Sequence, residues 1–270
     1  MCGIVGVFNR EGILDEESWK ILFSEAAKRG TDGFGVTYIE RVRDGNNNIN
    51  IRVKTKKFIN SYNDMNFSID EYFGRLKLGS IILANFRAQP ATESRSTELN
   101  LQPLIDEQNK LVLVHNGTVS DFLVNNTCVI DSEAIMKIYL ENNRDMKLTM
   151  EKLSGGFSFI LYDGMKDRLY CVCDYKPMSV GYIRGLGFMI HSKEAAIQKV
   201  VQQIIGVNRC GMCIWEDYYY HPQNSYTIRE IDLDSGMERE YGFTPRFIVG
   251  KMDTSKPGKG EKVFCICSGG

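Results

Sequence analysis

Histidine is scarce in this chain, three residues in 270. His191 and His221 have no motif around them, so satisfied structural or surface roles are expected for both. Charge of either sign is not in excess: 33 Lys and Arg face 34 Asp and Glu, a formal net charge of -1. No global field then draws the chain to nucleic acid or an anionic membrane, and no direct nucleic-acid binding is expected. No uninterrupted apolar run approaches the ~20 residues that a membrane-spanning helix needs. Met1–Phe8 is apolar but short, lacks a preceding basic stretch and meets Arg10 and Glu11 almost at once, so it is not expected to be a signal peptide. The expected location is the cytoplasm. Cys210-Gly211-Met212-Cys213 lacks a second CxxC pair, and half a zinc site is weaker than the four ligands structural zinc usually takes, so no metal is expected. Eight cysteines in a chain of this length do not make a disulfide scaffold; most are expected as free thiols packed as small hydrophobes. Internal repeats and long low-complexity tracts are also missing.

What is present is an ordinary globular composition, 43% hydrophobic and 25% charged, with enough apolar side chains for a sizeable core. Residues 2–9 read as a strand, and Glu16 to Lys28 as a helix carried by Trp19, Leu22, Phe23 and Ala26. After the glycine-rich turn Arg29–Gly35, strands over Val36–Ile39 and Ile49–Val53 pair through the Asp44-Gly45-Asn46 cluster. A helix is expected over Asp70–Leu78, then a strand over Ser80–Phe86 whose near-continuous apolar run implies cover on both faces. The polar loop Arg87–Asn100 follows. Leu111–His115 is a short strand and Ser132–Asn142 a helix with Ile135, Ile138 and Tyr139 on one face. Strands over Gly156–Tyr162 and Leu169–Cys173 are joined by a hairpin turning on Asp163-Gly164, with Cys171 and Cys173 on opposite faces. Further strands fit Phe188–His191, Met212–Trp215 and Ser225–Leu233, with a helix over Lys193–Gln203. Strands this numerous, without regular alternation with helices, point to an α+β sandwich rather than a doubly wound sheet.

Cysteine at position 2 is the chemically suggestive residue. Removal of Met1 would leave its thiol beside a free α-amino group on the same residue. A terminal amine titrates near ~8 and a thiol near ~8.5, so one residue could supply both nucleophile and base. The bland alternative is a buried strand cysteine.

Met1-Cys2-Gly3-Ile4-Val5-Gly6 resembles the opening of class II glutamine amidotransferases, which begin Cys-Gly-Ile after processing. Four further segments resemble that family in order: Arg29-Gly30-Thr31-Asp32-Gly33, its Arg-Gly-Pro-Asp loop; Arg87, its carboxylate-binding arginine; His115-Asn116-Gly117, its Asn-Gly segment; and Asp131-Ser132-Glu133, its Asp-Ser/Thr-Glu segment. The resemblance implies a four-layer αββα N-terminal-nucleophile hydrolase sandwich of two antiparallel sheets. It also implies hydrolysis of glutamine to glutamate and ammonia through a glutamyl thioester at Cys2. The Asn116 side-chain amide and Gly117 N–H would stabilise the tetrahedral oxyanion, where loss of one donor typically costs ~10²–10³ in rate. Arg87 would grip the α-carboxylate of glutamine bidentately and Asp131 would take its α-ammonium. Arg29 and Asp32 would organise the loop against the nucleophile's strand without entering the chemistry. Asn-Gly is also a common hairpin turn, and a lone Arg or Asp is usually a solvated loop charge, so each motif has a structural alternative. One departure stands out: after Arg87 the chain reads Ala88-Gln89-Pro90, where many relatives carry a Thr three residues beyond the arginine.

The resemblance extends over most of residues 2–250, giving an expected glutaminase domain at 1–250 and a linker at 251–261 rich in Lys, Gly and Pro. Residues 262–270, Lys-Val-Phe-Cys-Ile-Cys-Ser-Gly-Gly, resemble the first strand and Ser-Gly-Gly stub of an ATP-pyrophosphatase loop, whose successive N–H groups cradle phosphate. The glutaminase reaction itself needs no cofactor. ATP and Mg would act only through a synthetase domain or partner that activates the acceptor of ammonia, asparagine synthetase-like or 7-deazaguanine-modifying. Two other readings share the fold: an amidohydrolase of another amide substrate, and a noncatalytic binding module. The pairing of Arg87 with Asp131 argues against the first, and the joint presence of Cys2, Asn116 and Gly117 against the second.

Overall fold

A computed structural model describes residues 1–45, 49–89, 98–120, 128, 130–207 and 218–245, the side chains at 43 and 205–207 excepted. In chain order the elements are β1 (Gly3–Phe8), α1 (Glu16–Ala27), β2 (Phe34–Arg43), β3 (Ile49–Phe58), α2 (Ile69–Phe73), β4 (Ile81–Phe86), β5 (Leu104–Asp106), β6 (Leu111–Val119), α3 (Glu133–Glu141), α4 (Met146–Lys152), β7 (Gly155–Asp163), β8 (Arg168–Cys173), β9 (Ser179–Ile183), β10 (Gly187–His191), α5 (Glu194–Val207), β11 (Tyr218–Pro222), β12 (Thr227–Asp232) and β13 (Glu238–Gly242). A seven-stranded sheet runs β11-β9-β10-β1-β4-β2-β3 and a six-stranded sheet runs β13-β12-β8-β7-β6-β5. Among the described residues every strand pair, such as β1 with β4 and β6 with β7, is antiparallel.

Three apolar cores separate four layers. Ile4, Phe8, Ile81, Leu83, Val112, Val114 and Ile160 meet between the sheets. Trp19, Leu22, Phe23 and Ala26 of α1, with Ala196, Ile197 and Val200 of α5, cover the outer face of the first sheet. Ala134, Ile135 and Ile138 of α3 and Met146 and Met150 of α4 cover the outer face of the second. The architecture is the αββα sandwich. β1 and β4 read as continuous apolar runs because they lie mid-sheet with both faces covered, all of their residues being buried. Helix α1 starts where the Asp15 side chain accepts the Ser18 N–H, with Glu16 and Glu17 favourably placed at the positive end of the helix dipole.

Several boundaries differ from the sequence reading. Helix α2 has five residues instead of nine, because the chain leaves it at Gly74 with φ of 74°. The β7–β8 turn is not centred on Asp163-Gly164: Asp163 Oδ1 accepts the N–H groups of Met165 and Lys166, and Asp167 takes the positive φ of 52°. Cys171 and Cys173 share the inter-sheet face, since residues two apart in a strand point the same way. Strand β6 continues through Asn116-Gly117, which is therefore not a hairpin turn. Strands β5, β9, β11 and β13 and helix α4 have no counterpart in the sequence reading. The expected strand Met212–Trp215, Cys210, Cys213, Pro90 and everything from 246 onward, including the linker and the Ser-Gly-Gly stub, lie outside the described residues. Among the described residues no helix is long and apolar enough to cross a membrane.

Candidate active site

Cys2 stands one step before β1, where Gly3 pairs with Phe86 at the end of β4. Alternation along β1 turns Ile4 and Phe8 toward the second sheet, and Cys2 continues that series. Its Sγ accepts the Ala88 N–H at 3.5 Å, just past the end of β4. The carbonyl of Cys2 accepts Arg29 Nε at 3.1 Å, while Arg29 Nη1 donates to the Ser192 carbonyl at 3.3 Å. Ser192 itself grips Ile4 twice, its Oγ accepting the Ile4 N–H and its own N–H donating to the Ile4 carbonyl. The head of the strand is thus held from both sides by groups more than twenty residues away in sequence.

The loop between α1 and β2 straps the same corner to the end of β4. Asp32 N–H donates to the Arg87 carbonyl at 2.9 Å, Arg87 N–H donates to the Gly33 carbonyl at 2.8 Å, and Asp32 Oδ2 accepts the Gln89 N–H at 2.8 Å. The loop passes so close that a Cβ on Gly30 would stand 2.1 Å from the Phe86 carbonyl oxygen, so no larger residue fits there. Arg87 is buried, with Nη1 donating to the Asn100 carbonyl at 2.6 Å. Asp131 Oδ2 accepts the Val119 N–H at 2.8 Å at the far end of β6.

Electrostatics bring these groups to one place. Burial pushes the Cys2 thiol up, the Ala88 N–H, the chain's terminal ammonium and the Arg87 guanidinium oppose that, and the Asp131 carboxylate adds to it. A guanidinium and a carboxylate therefore both act on the thiol, which rests protonated. The two buried histidines are uncharged: desolvation brings His115 and His191 down to about 4. Both ring nitrogens of His191 are engaged, Nε2 with the Leu22 carbonyl and Nδ1 with the Lys193 N–H, so it is structural.

On β6, Val112 and Val114 face the first sheet and Asn116 continues that face, opposite Ser158 on β7. Asn116 is fully buried, yet neither its Nδ2 nor its Oδ1 has a hydrogen-bond partner among the described residues. Gly117 is exposed and has φ of 137°; a Cβ there would lie 2.2 Å from the Gly156 carbonyl oxygen and 2.5 Å from Phe157 Cα. Both the conformation and the space demand glycine. The structure also supplies residues that motif reading passed over: Asn85, Gln102 and Ser192 received no assignment, and His115 and Ser132 were quoted only as motif members. Asn85 carried a visible signal, a lone amide in a strand expected to be covered on both faces, because such a group must find a partner.

Comparison with known proteins gives a consistent picture. Residues 91–199 match the model of a family described as glutamine amidotransferase domain. The chain is 26% identical over 209 residues to 7-cyano-7-deazaguanine synthase of Sulfolobus acidocaldarius, covering 69% of this chain and 42% of that one. It is 29% identical over 207 residues to 7-cyano-7-deazaguanine synthase 2 of Sulfurisphaera tokodaii, with the same coverages. Identity to the isomerizing glutamine–fructose-6-phosphate aminotransferase of Cyanidium caldarium is 25% over 203 residues, 67% of this chain and 30% of that one. The chain thus spans less than half the length of these relatives. Among solved structures, glutamine phosphoribosylpyrophosphate amidotransferase from B. subtilis superposes with a TM-score of 0.57 at 17% identity, over 90% of this chain and 49% of that one, a likeness of fold. With a sandwich of that type and sequence relatives of that class, the chain is similar to class II, N-terminal-nucleophile glutamine amidotransferase domains.

Proposed function

We propose that the chain is the glutaminase part of an amidotransferase, hydrolysing glutamine to glutamate and ammonia with Cys2 as nucleophile. The observation that carries this reading is the charge pattern around the Cys2 thiol, a cation from Arg87 and an anion from Asp131, which matches the zwitterionic end of glutamine. Once Met1 is removed, the α-amine of Cys2 takes the thiol proton and the thiolate attacks the side-chain amide carbon. The Asn116 amide and Gly117 N–H stabilise the resulting oxyanion. The intermediate collapses with the proton passing from the ammonium to the leaving nitrogen, so that ammonia departs and a thioester remains. Water, deprotonated by the same amine, then releases glutamate. Met1 is 68% exposed, which leaves it open to an aminopeptidase. Arg29 and Asp32 serve as organisers of this corner.

The glutaminase unit is proposed to occupy 1–250, followed by the linker at 251–261 and the first strand of an ATP-pyrophosphatase-type synthetase at 262–270. Ammonia would pass to an acceptor that such a domain or partner activates with ATP and Mg. The names of two relatives favour a 7-deazaguanine acceptor over an asparagine synthetase-like one. The protein would act in the cytoplasm. Glutamate and ammonia release by the processed chain, with and without iodoacetamide, is the test: glutamine turnover abolished by stoichiometric alkylation of Cys2 is expected. An alkylation-insensitive rate would point to another nucleophile, hydrolysis of other amides in preference to glutamine to an amidohydrolase, and no turnover to a binding module.

A further inference from the structure

Alongside the proposed catalytic groups runs a connected set of buried polar side chains with no part in the chemistry just described. Asn85, on the inter-sheet face of β4, donates from Nδ2 to the His115 carbonyl at 2.9 Å and to Gln102 Oε1 at 3.4 Å. Gln102 Oε1 also accepts the His115 N–H at 2.6 Å, and Gln102 Nε2 donates to Ser132 Oγ at 3.0 Å. His115 Nδ1 stands 2.7 Å from that hydroxyl, which lies 3.4 Å from Asp131 Oδ1. Asn85, Gln102, His115 and Ser132 are all buried.

Their proton inventory has one complete solution. A hydroxyl has one proton and two lone pairs, an amide nitrogen only donates, and a carboxylate only accepts. The His115 N–H fixes the orientation of the Gln102 amide, so Nε2 must be the atom that meets Ser132. Ser132 then satisfies Gln102, His115 and Asp131 together only if His115 donates from Nδ1 and the serine proton goes to Asp131.

We propose that Asn85, Gln102, His115 and Ser132 are positioning residues that couple occupation of Asp131 by the α-ammonium of glutamine to the placement of Asn116 and Gly117. The inference rests on the glutaminase reading above. Its physical route is short. The backbone N–H and carbonyl of His115, adjacent to Asn116, are both held by this set, and Asp131 holds the N–H of Val119, two residues beyond Gly117. The oxyanion segment is thus gripped at both ends by one hydrogen-bonded system. An ammonium arriving at Asp131 competes for the carboxylate that Ser132 and Val119 share, and charge-assisted bonds are the stronger competitors. A mere brace between the sheets would use the same bonds but would not care which amide is bound.

The test uses the full chain with glutamine and with glutaramate, which is glutamine without its α-amino group. The wild type should turn over glutamine with the higher kcat. Ser132→Ala should lower kcat on glutamine roughly tenfold, the scale of one ordering hydrogen bond, and leave kcat on glutaramate within roughly twofold. Ser132→Thr, which restores the hydroxyl, should recover the discrimination. An equal loss on both substrates, or a change confined to KM, makes the set a brace and overturns the proposal. So does a wild type with equal kcat on both, an outcome that leaves glutaminase activity standing; a wild type inactive on glutamine instead removes the underlying reading. Should the alanine variant not fold, or glutaramate turnover be too slow to measure, nitrogen-15 NMR of the wild type decides. His115 must show a protonated Nδ1 and a bare Nε2, and the opposite tautomer refutes the coupling.

Discussion

Asn116→Leu should separate stability from activity, because it replaces a buried amide with an apolar side chain of similar shape. The amide is fully buried and neither of its polar atoms has a partner among the described residues. Leaving one such group unpaired costs about 1–3 kcal/mol, so the two atoms together set a cost of roughly 2–6 kcal/mol. Volume-conserving replacement in a packed core typically loses less than about 1.5 kcal/mol. The balance favours the variant by roughly 0.5–4.5 kcal/mol, or a rise in Tm of about 1–18 °C for a domain of this size. Activity should move the other way. Loss of an oxyanion donor removes about 2.7–4 kcal/mol of transition-state stabilisation, a fall in kcat of ~10²–10³ with little change in KM. Differential scanning calorimetry and ammonia release on the same preparation measure both. A variant that melts lower than the wild type and keeps its kcat would refute the reasoning on both counts, since the amide would then be a satisfied structural group.

The other predictions concern the nucleophile, the substrate clamp and the buried histidine. Intact-mass measurement of the active enzyme should show that Met1 is absent, and full activity in a fraction retaining Met1 would sink the amine-as-base mechanism. Cys2→Ala should abolish glutamine hydrolysis while thermal stability stays near that of the wild type; appreciable residual turnover would mean that another residue attacks. Arg87→Ala should chiefly raise KM, in contrast to the kcat defect at Asn116, and matching defects in the two would undo the assignment of roles. For His191, whose pKa falls from 6.5 to about 4 on burial, the unfolded chain binds more protons across that window. Stability from this group is therefore complete above about pH 6.5 and lost as pH falls toward 4, by roughly 3 kcal/mol in all. Asp174, raised by burial to about 6, works in the opposite sense, so the histidine part is read as the difference between urea melts of the wild type and of His191→Gln. Equal pH slopes in the two would show that His191 titrates normally.

How much of this was legible depended on whether the determining interactions were local. β1, β4, β7 beyond its first two glycines, and α1 announce themselves because they are continuously buried or their apolar stripe is regular. Strand β13 does not, since Glu238-Arg239-Glu240-Tyr241-Gly242 is an edge strand whose pattern is set by ion pairs such as Arg229 with Glu238 and Glu240. Helix α2 was over-extended because an apolar pattern can run on past Gly74 while the backbone cannot do so without leaving the helix. The site divides the same way. Cys2, Asn116 and Gly117 carry their proposed chemistry in residue type and short motif, and at Gly117 the backbone also demands glycine on steric grounds. The bonds that fix them join residues far apart in sequence: Arg29 to Cys2, Asn85 to His115, Gln102 to Ser132. No spacing rule reaches across such separations. What one sequence does expose is the demand side, a polar residue such as Asn85 inside a run that must be buried, and each demand of that kind fixes in advance that a partner exists without naming it. The folded chain meets that demand with a backbone carbonyl of the strand bearing Asn116, which is why the polar interruption of β4 and the proposed oxyanion segment belong to one structural unit.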